Sequence, residues 1–225
     1  MKKYNSATAK VEKTKLYNLL DAIKLAKDTS FTKFDGTINI ALNLNLDTKQ
    51  ANQQLRGSIS LPNGIGKTKK IAVITTTKIA DAEKAGADFV GSKDLLEKIK
   101  NENWFGFDVL LATPEMMAEI GKLGKILGPK GLMPNPKDGT VTMDVAKAID
   151  EIKKGKASFR TDKDGNIHSI IGLVSFSDEK LLENLETFVN SIKRLRPSVV
   201  KGKFIKSATL SATMGPGIRL QVSDN

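Results

Sequence analysis

Four hydroxyl side chains, Ser207, Thr209, Ser211 and Thr213, stand at alternate positions in the stretch SATLSAT. A two-residue spacing places all four on one face of a strand. A row of hydroxyls is poor material for an apolar core but well suited to hydrogen bonds with riboses and phosphates. Met214 and Gly215 follow the row, Lys201, Lys203 and Lys206 lie on or just before it, and Lys193, Arg194 and Arg196 come shortly upstream. A second stretch of the same character holds Lys33 and Phe34, with Thr37 three residues on. Phe34 and Met214 offer apolar surfaces against which a base can stack. The chemistry these residues imply is non-covalent recognition of a polyanion.

Covalent chemistry has little to work with. There is no cysteine, so disulfides, thiolate nucleophiles and cysteine-ligated zinc are excluded, and a single histidine, His168, weighs against a catalytic triad or a histidine-rich metal site. Gly64–Thr68 (GIGKT) resembles the end of a phosphate-binding loop, but Leu61 stands where the first glycine is needed and the apolar run IAVIT follows in place of a helix. A basic hinge around Gly64 is the better reading. Asp162, Asp164 and Asn166 imitate the start of a calcium loop, yet Ile167 replaces the required glycine and Leu173 the closing glutamate, so a turn is expected. His168 follows on a strand, as a contact residue or an ordinary hydrogen-bonded one. No enzymatic activity, metal or cofactor is expected. The alternative from a different class is a nucleotide-binding enzyme built on the central part of the chain.

The net charge of +11 in 225 residues favours an anionic partner, most often nucleic acid. A nonspecific basic binder is a further alternative. The start, MKKYNSATAK, has no apolar segment behind it and no run approaches the ~18 apolar residues of a membrane helix, which predicts a cytoplasmic protein without membrane contact.

The elements that must position these residues can be read from periodicity. The lysine-rich first residues are expected to fray, and a helix begins near Leu16 with Leu16, Leu19, Leu20, Ile23, Leu25 and Ala26 on its apolar face. Ile38, Ile40, Leu42, Leu44 and Leu46 alternate with Asn39, Ala41, Asn43 and Asn45, the pattern of a half-buried antiparallel strand. From Ile71 the texture changes to continuous apolar runs (IAVIT, then DVLLA at 108–112) alternating with helical stretches, as in a small parallel α/β sheet. Thr113-Pro114-Glu115 predicts a helix start with a capping hydroxyl. Trp104, with Phe105 and Phe107, is expected to pack under a loop. Asp164-Gly165 then marks a hairpin. A long helix opens at Ser177 with Leu181, Leu182, Leu185, Phe188, Val189, Ile192 and Leu195 on one stripe, and strands at 204–212 and 218–222 close the chain.

Between these textures lies Gly121–Thr140, GKLGKILGPKGLMPNPKDGT, densest of all in glycine, proline and lysine. It predicts a rigid loop whose Lys122, Lys125, Lys130 and Lys137 face an anion. Antiparallel texture at both ends and parallel α/β texture between them imply an insertion. A two-ended α+β domain, residues 1–64 plus 157–225, receives an α/β domain, residues 65–156, with hinges at Gly64 and Gly155. Residues 65–156 carry 16 basic and 13 acidic side chains, so the two-ended domain keeps +8 of the charge and is expected to be the main nucleic-acid surface.

GKLGKILGPKGLMPNPKDGTV, preceded by FGFDVLLATPEMM, closely resembles the signature of the bacterial large-subunit ribosomal protein one family, the ribosomal stalk protein. TKFDGTINI, LRGSISLPNGIGK, AGADFVG, TDKDGNIHSIIG and SATMGPG match it in order over essentially the whole chain. The resemblance implies a split β-α-β domain carrying an inserted Rossmann-like, three-layer α/β domain without its cofactor. It implies binding to the stalk region of large-subunit ribosomal RNA, help in moving and releasing deacylated tRNA at the exit site, and repression of the protein's own mRNA. It also implies a monomer off the ribosome. The RNA contacts it carries over fall on Lys33, Phe34, Thr37, Asp162, Lys163, His168, Ser207, Thr213, Met214 and Gly215. Lys206, Thr209 and Ser211 join them from the residue reading. The lysines of Gly121–Thr140 become a secondary RNA or tRNA contact. The chain departs from the family's Ser-Asp-Gln-Asn-Val-Arg-Gly loop at Ala51–Leu55, keeping Arg56 and Gly57, and has Asn63 where the family's hinge carries histidine.

Overall fold

The computed structural model describes residues 2–50 and 53–222, so Ala51 and Asn52 of the departing loop lie outside the described residues. The stretch expected to fray is instead helix α1 (Lys2–Ala9). Its sequence has no apolar stripe for periodicity to find: Ala7 is its one buried residue, while the Ser6 and Thr8 hydroxyls bond back to carbonyls of the preceding turn. Helix α2 (Leu19–Asp28) buries Ala22, Ile23 and Ala26. Leu16 lies before it and is 56% exposed, and Leu20 also faces outward. The inward face is therefore the one carrying small residues, which let the helix approach its neighbours closely. Strand β1 (Thr37–Leu44) realises the alternation, burying Ile38, Ile40, Leu42 and Leu44, and β2 (Arg56–Ser60) follows.

The α/β section comprises β3 (Ile71–Ile74), α3 (Ile79–Lys84), β4 (Phe89–Gly91), α4 (Lys93–Glu102) and β5 (Val109–Ala112). β3 lies centrally, parallel to β4 on one side and β5 on the other. Its four residues are all buried because each face of the sheet has its own core. Ile71 and Val73 pack with Ala82, Val145, Ile149 and Ile152, whereas Ala72 and Ile74 pack with Leu96, Ile99, Met116 and Ile120. Trp104 stacks edge-on against Phe89 with centroids 4.8 Å apart and contacts Phe107. Thr113 takes the N-cap position of a 3₁₀ turn, with Pro114 after it, but its hydroxyl makes no cap bond. This 3₁₀ turn (Pro114–Met116) precedes α5 (Met117–Lys122), whose own cap position is Met116, and the Thr113 hydroxyl is buried without a partner among the described residues.

Gly121–Thr140 is only partly a loop. Its first half continues as helix α6 (Gly124–Leu127), which buries Leu127 beside Leu123. Irregular backbone starts at the turn through Gly131 (φ 70°), and a second 3₁₀ turn (Pro136–Asp138) is capped by Asn135 Oδ1, which accepts from the Lys137 N–H at 2.8 Å. Helix α7 (Val145–Lys153) completes this section.

The chain then forms β6 (Lys156–Arg160), β7 (Asn166–Leu173), α8 (Asp178–Arg194), β8 (Ile205–Ala212) and β9 (Ile218–Leu220). Ser177 Oγ caps α8 by accepting from the Lys180 N–H. Leu195, expected on the buried stripe, comes just after the helix and is 46% exposed. A four-stranded antiparallel sheet runs in the order β7-β1-β8-β9, and β2 pairs with β6 in a separate ribbon. Helices α2 and α8 pack against each other and the sheet, so that Ile23, Leu181, Leu185 and Phe188 share a core with Ile40, Leu42, Ile171 and Leu210. The fold is α+β with a three-layer α/β part.

The chain divides into two compact units, Met1–Gly66 with Lys156–Asn225, and Lys67–Gly155. Ile65 stays with the first because it is buried in that core, and Lys156 because it opens β6. The turn leading to the first crossing is tied down by Asn184, fully buried on α8. Its Oδ1 accepts from the Asn63 N–H at 3.0 Å, and its Nδ2 donates to the carbonyls of Gly64 (3.0 Å) and Ile171 (2.9 Å). Gly66 must be glycine: φ is +79°, and a Cβ would lie 2.7 Å from Leu173 Cδ1 and 2.8 Å from Phe176 Cε1.

Candidate nucleic-acid interface

One face of the four-stranded sheet carries the two helices; the other is polar. The strand register brings its side chains into rows. Asn39 lies between Ile170 and Ser211, Ala41 between His168 and Thr209, and Asn43 between Asn166 and Ser207; Thr209 in turn faces Arg219. These residues are half-buried or exposed, in contrast to the alternate positions beneath them. Asn43 Nδ2 donates to Asn166 Oδ1 at 2.6 Å, fixing one row. The face is thus a platform of amides and hydroxyls with cations around it. Asn39, Asn43 and Arg219 are not among the contact residues that the sequence suggests, and Asn166 stands out there only as part of a turn. Alternation showed that the asparagines point away from the core, but only the register shows that they join the hydroxyl row.

At one end of the platform, Thr213 and Thr37 form a clamp. The Thr37 N–H donates to Thr213 Oγ1 at 2.9 Å, the two hydroxyl oxygens are 2.9 Å apart, and the Thr213 N–H donates to the Thr37 carbonyl at 2.9 Å. The Thr213 hydroxyl is therefore engaged within the protein, unlike the exposed Ser207. The clamp positions two neighbouring turns. In one, Met214 takes a left-handed backbone (φ 63°), leaving its side chain 70% exposed, and the Gly215 N–H returns to the Ala212 carbonyl. In the other, Phe34 is 63% exposed beside Lys33, and the Thr32 hydroxyl donates to the Phe34 carbonyl. Apolar side chains held this far into solvent have no packing role.

Asp162, Lys163 and His168 lie toward the other end, near the row of Asn43 and Asn166. Asn43 lies six steps along β1 from Thr37, roughly 20 Å at strand rise. Asp162 shapes the hairpin: its Oδ1 accepts from the N–H groups of Asp164 (2.9 Å) and Asn166 (2.7 Å), and its Oδ2 from Asn166 Nδ2 (3.0 Å). The Asn166 backbone N–H, then its side-chain amide, hold the Asp162 carboxyl below the ordinary carboxylate range, with lesser help from Asp164 and from His168, whose Nε2 is 3.7 Å away. The Asp162–Asn166 stretch is thus a turn, and among the described residues no cluster of metal ligands occurs. The Lys163 carbonyl accepts from the Thr48 hydroxyl, placing the 48–50 loop beside this hairpin. Arg56 stands apart on the ribbon, directly opposite Arg160. Lys206 is exposed on β8.

The lysines of the glycine-rich segment belong to the other unit. Lys122, Lys125, Lys130 and Lys137 are all exposed, and Lys130 Nζ lies 3.9 Å from the Phe105 ring centroid, a cation–π contact. The hinge candidates Gly64 and Gly155 both have positive φ, 67° and 99°.

The sequence matches the Ribosomal protein L1p/L10e family over residues 26–216, which takes in all of the second unit and the chain from the end of α2 to the turn after β8. The chain belongs to that family. It is 59% identical over 222 residues to the large ribosomal subunit protein uL1 of Mesoplasma florum, covering 99% of this chain and 98% of that protein. Identity is again 59%, over 220 residues, to the proteins of the same name from Mycoplasma capricolum subsp. capricolum and Mycoplasma mycoides subsp. mycoides SC, at 98% and 97% coverage. A ribosomal-protein family is not an enzyme family, and on that ground the chain is not an enzyme and the nucleotide-dependent reading of the second unit is withdrawn. Gly64–Thr68 agrees with this: a strand, β3, follows it, and no helix N-terminus is there to hold a phosphate.

Proposed function

We propose that this protein is a cytoplasmic, structural component of the large ribosomal subunit, and that it binds the stalk region of large-subunit ribosomal RNA through the polar face of β7-β1-β8-β9. The observation that carries the reading is the Thr37–Thr213 clamp with its two exposed apolar side chains, Phe34 and Met214. The clamp pre-organises the turns, so little ordering entropy is lost on binding. Lys33, Lys206 and Lys163 contribute charge, while Ser207, Thr209, Ser211, Gly215 and His168 contribute hydrogen bonds or close approach along the strands. Asp162 flanks the platform, and Arg56 adds a cation from the β2–β6 ribbon. Family membership supports the same reading, since the relatives are named for the large ribosomal subunit.

In this proposal the first unit is the RNA-binding domain, and the second swings about Gly64 and Gly155. Its Lys122, Lys125, Lys130 and Lys137 make a secondary contact to ribosomal RNA or exit-site tRNA, whose movement and release the protein assists. Off the ribosome the protein acts as a monomer and represses its own mRNA, the same face recognising a message that imitates the ribosomal site.

Filter binding of the whole protein to a stalk-type RNA tests the reading. Wild type should prefer that RNA over a random duplex, and Met214→Asp, which sets a carboxylate against phosphate, should abolish most of the preference without lowering the melting temperature by more than a few degrees. Equal affinity for both RNAs would leave only a nonspecific basic binder.

A further inference from the structure

At the far edge of the polar face from β7, a cleft of about 250 Å³ opens between β8 and β9. Lys203, Lys206, Ser207, Arg219, Leu16 and Gln221 are among the residues that line it. Among the described residues its lining holds three cations and no carboxylate. None of Lys203, Lys206 and Arg219 has an ion pair or side-chain hydrogen bond among the described residues, and all three are exposed. Some cations elsewhere are engaged, as Lys10 is with Asp28, Lys27 with Asp178, and Arg196 with the carbonyls of Val200 and Gly202. Three unpaired cations around one small cleft repel one another, and an anion seated between them relieves that repulsion. The cleft is smaller than the ~300–1,000 Å³ of sites that enclose a drug-sized molecule. Its three cations suit a phosphate group.

Its position says where such a phosphate comes from. Ser207 belongs to the row of Asn43 and Asn166, and Arg219 lies directly across from Thr209. Arg219 also lines a second cleft of about 230 Å³, with Lys13, Thr8 and Thr209, that reaches Pro216 and Gly217 just past the Met214 turn. A basic track therefore runs along the outer side of β8, from Lys203 past Arg219 toward Met214. Arg219 itself lies beyond the span matched to the family, residues 26–216.

We infer that the β8–β9 cleft is a phosphodiester-binding subsite, in which Arg219 and Lys203 hold backbone phosphates of the RNA whose bases meet Met214 and Phe34. The subsite rests on the RNA-binding reading proposed above and adds to it a second anchoring point at the opposite end of β8. Ser207 donates to a phosphate oxygen, and Lys206 closes the cleft from the strand side.

The test is the salt dependence of stalk-RNA binding by the whole protein. Removing one charged phosphate partner lowers the magnitude of the slope of log K against log [salt] by about 0.7 where the RNA is single-stranded and about 0.9 where it is duplex. An Arg219→Gln/Lys203→Gln variant should therefore lower that slope by between about 1.4 and 1.8. It should bind more weakly than wild type at low salt and converge with it as salt rises. Arg219→Lys/Lys203→Arg, which keeps both charges, should retain the wild-type slope. A control that removes the same charge from the other unit, Lys98→Gln/Lys147→Gln, should do the same. An unchanged slope in the glutamine variant, or an equal fall in the control, overturns the subsite. If wild type shows no preference for stalk RNA, the parent reading fails before any variant is compared, and the subsite falls with it.

Discussion

Met214 holds a left-handed backbone that a side chain with a Cβ adopts reluctantly. Strain of this kind costs on the order of 1 kcal/mol and persists only where the surroundings enforce it. Here the Ala212 carbonyl and the Thr37–Thr213 clamp do so. Met214→Gly should fold with a stability within about 1 kcal/mol of wild type, because relief of strain offsets the added freedom of the unfolded chain. It should nevertheless bind stalk RNA several-fold more weakly, since the exposed side chain is gone; chemical denaturation and filter binding on one preparation separate the two effects. Thr213→Val removes the clamp's hydroxyl bonds at about 1 kcal/mol each and should cost roughly tenfold in RNA affinity. Asp162 gives a pH signature. Its folded-state pKa lies below the unfolded value, so its contribution to stability is present above the unfolded pKa and is lost as pH falls through the folded one. Asp162→Asn should therefore melt lower than wild type at neutral pH, and the gap should close in acid. A gap that persists at low pH would show that the carboxylate's charge is not what organises the hairpin.

Among the elements, β1 was the most legible, because strict alternation leaves a half-buried strand as the simplest solution, and IAVI announced its two covered faces by having no polar residue at all. The fold of α1 was not legible. Lysine, tyrosine, asparagine and serine around one buried alanine carry no period, and the helix is held by local hydroxyl bonds and by the core that Val11 enters. Nor was the pairing legible: no pattern within β8 says that Thr209 faces Arg219, since register is a property of two strands and the core beneath them. α8 shows how much one element can carry. Its Phe188 is fully buried against Phe159, the ring centroids 6.3 Å apart, and Phe188→Ala should cost about 3–5 kcal/mol in denaturant titration. Asn184→Leu on the same helix leaves the Asn63 N–H and the Gly64 and Ile171 carbonyls without their partner. A fall of about 2–4 kcal/mol in stability is expected, despite the gain in apolar surface.

Over the whole molecule, sequence texture marked the insertion, because an antiparallel sheet with one polar face and a parallel sheet buried on both faces use different alphabets. The crossings needed the structure, since Ile65 is apolar enough for either side and only its place in the first core assigns it. The segment richest in glycine and lysine, Gly121–Thr140, drew attention as an anion-binding loop. Its start is helical and buries Leu123 and Leu127, in the unit that carries little of the net charge. The hydroxyl strand and its cations instead concentrate on the two-ended unit, where the fold supplies a continuous polar face. The most direct measurement is the affinity of stalk-type RNA for the whole protein, for Met1–Gly66 joined to Lys156–Asn225, and for Lys67–Gly155 alone, each first shown to melt cooperatively. The two-ended unit should bind within about tenfold of the whole protein, as expected when the excised part supplies only a few secondary phosphate contacts, and the insert should show no preference for that RNA. An insert that binds stalk RNA as tightly as the whole protein, or a folded two-ended unit that does not bind it, would contradict the placement of recognition on the β7-β1-β8-β9 face.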